Sequence, residues 1–229
     1  MVSNGKVLIT GTSSGIGRAT ALLFLDRGYD VFGLDIQPST IVHRNYKHYE
    51  CDVSKPETLP PIKGINYLIN NAGTIEEDFS IPVNLEGYVN VVNEYGWGNN
   101  YIKSILNIGS ISGIVGLDTP LYAASQGGRI SYTKNLAINF TNRFKKVPIN
   151  ILCFGAVMTG LEPKLYANDD MVQAVANENM LKKWITVEEA AEWTYFMSVV
   201  NQSMCGQSIL VDNGEAANFN FIDCRGESD

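Results

Sequence analysis

Histidine is almost missing from this chain: there are two in 229 residues, His43 and His48, five apart in a polar stretch. The four cysteines, Cys51, Cys153, Cys205 and Cys224, form no C-x-x-C pair. A metal centre needs clustered imidazole, thiolate or carboxylate donors, so none is expected. The scattered thiols read as free cysteines in a reducing cytoplasm. No apolar run reaches the roughly 18 residues of a membrane span. The segment Met1–Lys6 leads straight into an apolar strand pattern, so a secretion signal is not expected either. Positive charge is scarce, with 17 Lys and Arg against 24 Asp and Glu, a net charge of −7, and no basic run longer than Lys145-Lys146 or Lys182-Lys183. That excludes nucleic acid and an anionic membrane as expected partners. Linkers, repeats and low-complexity stretches are also lacking, so residues 1–229 are expected to form a single domain.

The pattern that is present alternates short apolar strands with helices. Strands are expected at 6–10, 30–34, 46–51, 65–70, 104–108, 149–154 and 207–211. Helices are expected at 15–27, 81–95, 121–144 and from a Thr186 cap to Val200. Gly28 is read as the stop of the first helix and Pro82 as a first-turn residue of the second. Thr186 with Glu189 three residues on has the form of a capping box. Such alternation implies an α/β fold of Rossmann type: a doubly wound parallel sheet of about seven strands with helices on both faces.

The first strand runs into Thr10-Gly11-Thr12-Ser13-Ser14-Gly15-Ile16-Gly17. A strand, a glycine turn and a helix form a pyrophosphate cradle, because glycine permits close approach and the helix N-terminus offers free N–H groups. The spacing G-x-x-x-G-x-G differs from the usual dinucleotide G-x-G-x-x-G but meets the same requirements. Gly11, Ser13, Ser14, Gly15, Ile16 and Gly17 are therefore candidate cofactor contacts. Asp35 ends the second strand, where a carboxylate accepts hydrogen bonds from a ribose diol and repels a 2′-phosphate. No basic residue precedes Arg18 in the turn, so NAD is expected in preference to NADP. Asp52, after the third strand, is read either as an acceptor for the adenine amino group or as a turn cap.

Further along, the chain resembles the short-chain dehydrogenase/reductases over nearly its full length. The matching residues are T-G-x-x-x-G-I-G at Thr10–Gly17, Asp52-Val53, N-N-A-G at Asn70–Gly73, Asn84 with Gly87, Ser110, Tyr122, and Gly155 with Thr159. The resemblance implies that Asn71, Ala72, Gly73, Val53, Gly155, Val157 and Thr159 also line the cofactor, with Thr159 orienting the carboxamide. It implies that Tyr122 exchanges a proton with an alcohol or ketone while hydride moves to or from nicotinamide. Ser110 would hydrogen-bond the substrate oxygen, with Ser112 as its backup, and Asn84 would hold a relay water.

One departure bears on activity. The family pattern is Y-x-x-x-K, and here it reads Tyr122-Ala-Ala-Ser-Gln126. Residues one turn apart share a helix face, so Gln126 can still hydrogen-bond the nicotinamide ribose, but it carries no charge to lower the tyrosine pKa. A unit charge at ~5 Å and an effective dielectric of ~20 contributes about 3 kcal/mol, or roughly 2 pH units. Impaired activity near neutral pH is therefore expected. Arg129, at i+7, and Lys134 beyond it could restore some charge, although reach counts against both. Phe154 replaces a frequent proline before Gly155, and only ten residues separate Gly73 from Asn84, so one side of the pocket is expected to be open.

Residues 160–185 correspond to the family's substrate lid. Their apolar members Leu161, Leu165, Tyr166, Met171, Val172, Met180, Leu181 and Trp184 fit either a substrate with a nonpolar body or packing onto the domain. The single lysine of the segment 96–103 counts against a carrier-protein partner. The resemblance implies a homo-oligomer, a dimer or tetramer, with Val83, Leu85, Val89 and Val92 as candidate interface residues. Residues 219–229 read as a polar tail. The expected function is thus a secondary alcohol dehydrogenase or ketone reductase. A dinucleotide-binding sensor or scaffold without efficient turnover is the alternative, and an isomerase or dehydratase is disfavoured by the joint presence of Ser110 and Tyr122.

Overall fold

The computed structural model describes residues 3–159, 161 and 168–217. Seven parallel strands form one sheet: β1 (Lys6–Thr10), β2 (Asp30–Asp35), β3 (Tyr46–Glu50), β4 (Tyr67–Asn70), β5 (Ser104–Ser110), β6 (Ile149–Phe154) and β7 (Ser208–Val211), in the order β3-β2-β1-β4-β5-β6-β7. Successive residues of β1 face opposite sides of the sheet. Val7 and Ile9 join a core with Phe24, Tyr29, Val31 and Ile69. Leu8 joins a second core with Leu34, Leu68, Val91, Tyr95 and Phe140. The first core lies under α1 (Gly15–Asp26) and α7 (Val187–Tyr195), and the second under α3 (Gly87–Tyr95) and α5 (Pro120–Arg143). Each fully buried side chain of this size stabilises the fold by roughly 1.5–3 kcal/mol, and the doubly apolar strands explain why the pattern reads as parallel sheet.

β4 starts at Tyr67 rather than 65, α7 gives way to a π-helical turn at Phe196–Val200, and two boundaries that bear on the site shift as well. β5 runs on to Ser110, so this serine is the last residue of a strand paired opposite Phe154. The second expected helix starts earlier, at α2 (Glu77–Ile81), and passes through a π-helical turn, Pro82–Glu86, before α3. Pro82 is therefore an interior residue rather than a first-turn one. Proline lacks an N–H and crowds the preceding turn; here the helix widens, with Gly87 N–H donating to the Pro82 carbonyl. Gly28 does end α1 at φ +77°, and Thr186 with Glu189 forms the expected capping box at α7.

The short α4 (Ser112–Val115) packs against α5: a Cβ on Gly113 would sit 2.5 Å from the Gln126 backbone carbonyl carbon. In the expected lid, α6 (Asp169–Asn177) is capped by Asn168, whose Oδ1 accepts from Met171 N–H at 2.9 Å. Trp184 is buried and donates to the Val172 carbonyl at 2.8 Å, whereas Leu161, Met171, Met180 and Leu181 are exposed. Leu165, Tyr166 and the 219–229 tail lie outside the described residues. Among the described residues no helix is long and apolar enough to cross a membrane.

Candidate active site

Strand order reverses at β1, which has β2 on one side and β4 on the other. In doubly wound sheets the crevice beyond the carboxyl ends of such strands receives ligands. The segments leaving β1, β4, β5 and β6 meet there.

The turn after β1 is glycine by necessity. Gly11 and Gly15 have φ of +75° and +52°, and a Cβ on Gly17 would collide with the Gly11 carbonyl oxygen. Ser14 precedes α1 in extended conformation, without capping it, and no acidic residue lies in the first turn. The N-terminal amides of α1 thus keep their capacity for an anion. Asp35 sits at the turn's edge: Oδ2 accepts from Ser13 N–H at 2.8 Å and Oδ1 from Gln37 N–H at 2.9 Å. A carboxylate has further lone pairs for a diol. Thr10 and Asn71 clip this turn to the loop after β4. Thr10 Oγ1 accepts from Asn71 and Ala72 N–H, both at 2.9 Å, and Asn71 Nδ2 donates to the Thr10 carbonyl at 2.9 Å. Asn71 therefore shapes the crevice through its side chain. Thr12, Tyr46, His48 and the Gln37 carbonyl form a hydrogen-bonded chain, at 2.8, 2.9 and 2.9 Å, that supports the loop beside Asp35. The polar character of β3 was the only sequence signal for it.

Asp52 acts as the turn cap. Its Oδ1 accepts from Ser54 N–H and Oγ, and its Oδ2 pairs with Lys55 at 3.1 Å. Burial opposes its ionisation, yet these partners leave it below the usual carboxylate range. Val53 is buried against Gly87. Beyond β6, Val157 pairs with Ile185, and Thr159 reaches the glycine turn, where a Cβ on Gly15 would lie 3.3 Å from the Thr159 Cβ. Gly155 leaves room for Glu215, whose Oε2 accepts from Ala156 N–H at 3.1 Å.

Ser110 ends β5, Asn84 and Gln126 are linked through Arg129, and Tyr122 precedes Gln126 by one turn of α5. Ser110 Oγ lies 2.9 Å from Ser112 Oγ, and Ser112 Oγ donates in turn to Asp118 Oδ2. Ser112 is buried and its proton is engaged by Asp118, so the bond between the two hydroxyls is donated by Ser110, which is the more exposed of the pair and would turn its proton from Ser112 to a ligand. Asp118 has φ +65° and was missed in the sequence, where it looks like an ordinary loop aspartate. Asn84, fully buried in the π-helical turn, exchanges two bonds with the Thr74 backbone (2.9 and 2.8 Å) and donates to Ser125 Oγ at 3.2 Å. Tyr122 is half-buried in the first turn of α5.

Arg129 reaches further back along its helix than the spacing suggests, as far as Gln126. Helical side chains lean towards the N-terminus, so Arg129 extends back along α5 to Gln126, and the residue is 4% exposed. Nη1 donates to Gln126 Oε1 at 3.1 Å and to the Ile108 carbonyl at 2.9 Å; Nη2 reaches the Ala72 carbonyl at 3.3 Å, and Nε donates to the Asn84 carbonyl. The cation lies 4.0 Å from the centre of the Tyr88 ring. Burial pushes it below the ordinary arginine value, while facing Tyr88, Tyr122 and Cys153 pull it back. An arginine retains its proton under such conditions.

A short-chain dehydrogenase family model described as enoyl-(acyl carrier protein) reductase matches residues 11–215. The chain belongs to the short-chain dehydrogenase/reductase family. It is similar to the short chain dehydrogenase prhI of Penicillium brasilianum, 29% identical over 93% of this chain and 97% of that one. Among solved structures, 4-hydroxyisoleucine dehydrogenase complexed with NADH superposes with a TM-score of 0.80 at 24% identity, covering 94% of this chain and all of that one. A candidate 2-deoxy-d-gluconate 3-dehydrogenase from Agrobacterium tumefaciens with bound NADP gives 0.82 at 22% identity, covering 94% and 98%.

Proposed function

We propose that the protein is an NAD-dependent oxidoreductase that interconverts a secondary alcohol and a ketone. What supports this reading is the uncapped N-terminus of α1 behind Gly11–Gly17 at the carboxyl edge of the sheet, the edge on which β5 ends in Ser110, with Tyr122 in the first turn of α5. Neighbours of the same fold hold NADH or NADP, and relatives named dehydrogenases favour turnover over a binding-only role.

When bound, the cofactor supplies a nicotinamide that accepts or returns hydride at C4. The α1 amides would hold its pyrophosphate, Asp35 its adenosine ribose, Gln126 its nicotinamide ribose and Thr159 its carboxamide. Ser110 donates to the substrate oxygen. Tyr122 removes the hydroxyl proton as the carbinol carbon is oxidised, and returns it in reduction. Asn84 shapes the Thr74 loop and bears a relay water. The exposed lid residues favour a substrate with a nonpolar body. Cys51 and Cys153, both free and buried, suit a cytoplasmic location. Gln126 alone would leave neutral-pH activity impaired.

Replacing Tyr122 by Phe is expected to lower kcat/KM for reduction of simple cyclic and aryl ketones by about 10²-fold or more. NADH affinity, read by fluorescence, should stay within a few-fold. Melting should rise more with NAD than with NADP. An unchanged rate in Tyr122→Phe, or preferential stabilisation by NADP, contradicts the corresponding part of the reading.

A further inference from the structure

We propose that Arg129 supplies, from beneath the crevice, the positive charge for Tyr122 that Gln126 cannot, while fixing Gln126 as the ribose donor. This deepens the proposed function and rests on it for the role of Tyr122.

Arg129 is a fully desolvated cation. Among the described residues its hydrogen-bond acceptors are neutral oxygens, of Asn84, Ile108, Ala72 and Gln126, and it forms no ion pair with a carboxylate. A buried charge without a counter-charge is costly, and burying it serves the fold less well than an apolar residue would. Its place on the buried face of α5, between Gln126 and Thr133 and ahead of the apolar Leu136, Ala137 and Phe140, therefore calls for an anion.

Three ionisable groups face it. Tyr88, from α3, is fully buried, and burial raises it to about 12. Cys153, from β6, is raised by burial to about 11, with Lys134 and Arg129 opposing. Both stay neutral in the range where alcohols are oxidised. Tyr122, on the guanidinium's own helix and half-buried at the crevice, is the remaining group able to become an anion there. The acidic groups near the start of α5 work the other way: Asp118 lies behind Ser112, and Glu77 Oε1 accepts from Leu121 N–H at 3.3 Å. Both disfavour a phenolate, so a local cation is needed more.

The bond from Nη1 to Gln126 Oε1 adds a second effect. With the amide oxygen engaged, the amide nitrogen is the end left for a ligand, and an amide nitrogen donates to a ribose hydroxyl. Arg129 is thus a positioning residue, acting through Tyr122 and Gln126.

The test is a titration of tyrosine ring carbons by NMR on protein labelled at tyrosine Cζ, without cofactor or substrate. The resonance missing in Tyr122→Phe belongs to Tyr122. Its midpoint is expected at least one pH unit below the ordinary value of about 10. Arg129→Met should raise it by one to two units, and Arg129→Lys should largely preserve it. Arg129→Met combined with Gln126→Lys should restore the low midpoint, which a purely structural guanidinium would not. A wild-type midpoint at or above 10 overturns the proposal even if Arg129→Met fails to fold. So does a midpoint that stays low in Arg129→Met. Because no turnover is needed, absence of activity on every ketone would count against the proposed reaction and leave this result standing.

Discussion

At the scale of single residues, the first-turn glycines, Asp35 and the capping Thr186 were legible because each stands at a fixed place relative to a strand end or helix start. The pairings of Asn71, Asp118 and Arg129 with Gly11, Ser112 and Asn84 were not, because loop and helix packing makes them. Arg129 did leave a trace, since a charge on the helix face shared with Gln126 and leading into Leu136, Ala137 and Phe140 has to be explained. Glu215 carries a prediction of its own. Burial pushes its carboxyl up, the Ala156 amide pulls partly back, and Glu178, Asp212 and Asp118 push further. The folded protein therefore holds this proton to higher pH than the unfolded chain. Stability contributed by the protonated form is full below the unfolded value and is lost as pH rises through the folded one. Glu215→Gln keeps an acceptor for Ala156 N–H and removes the charge. It should melt higher than wild type at pH 7–8, with the difference closing towards pH 4. Coincident melting curves at both pH values would contradict this account.

Elements show the same division. α1 and α7 announce their ends through a glycine and a capping box, both short-range devices. The helix across 77–95 does not. Proline signals a start, and nothing in the neighbouring sequence reveals that the chain keeps winding on its N-terminal side and absorbs Pro82 in a π-helical turn. Tertiary packing decides it, since Asn84 and Gly87 in and beside that turn meet Thr74, Ser125 and Val53. The capping box gives an element-scale prediction. Thr186 Oγ1 accepts from Glu189 N–H at 3.1 Å and Glu189 Oε2 from Thr186 N–H at 2.9 Å, while Lys183 pairs with Glu189 at 2.6 Å. Thr186→Ala removes one of these bonds at the start of the helix that packs on α1. It should cost about 1 kcal/mol in urea unfolding with an unchanged denaturant slope. A loss below a few tenths would mean that the remaining Glu189 contacts suffice.

For the molecule as a whole, sheet order and crevice position follow from the alternation of strands and helices, because a parallel doubly wound sheet offers few other arrangements. Assembly is not encoded so directly. Of the candidate interface residues, Val92 is fully buried in the core, whereas Val83, Leu85 and Val89 remain partly exposed. Leu85 and Val89 line a shallow groove of about 720 Å³ with Ser54, Pro56, Gly128 and Tyr132, running between α3 and α5 on the side away from the sheet. Gly128 keeps the helix surface low there, since a Cβ would stand 2.9 Å from Leu85 Cδ2. A low groove with Leu85, Val89 and Tyr132 among polar Ser54, Glu86, Asn90 and Ser131 suits a second copy of itself about a two-fold axis, where each contact is made twice. Sedimentation should then report a species at least twice the 25.2 kDa chain. Val89→Trp would place two bulky rings at the centre of the symmetric contact and should give monomer, with the far-ultraviolet spectrum unchanged. The same reading applies to Val89→Arg, which adds a charge beside Glu86 of each copy. Monomer in the wild type, or an undisturbed oligomer in Val89→Trp, would rule out this face as the interface.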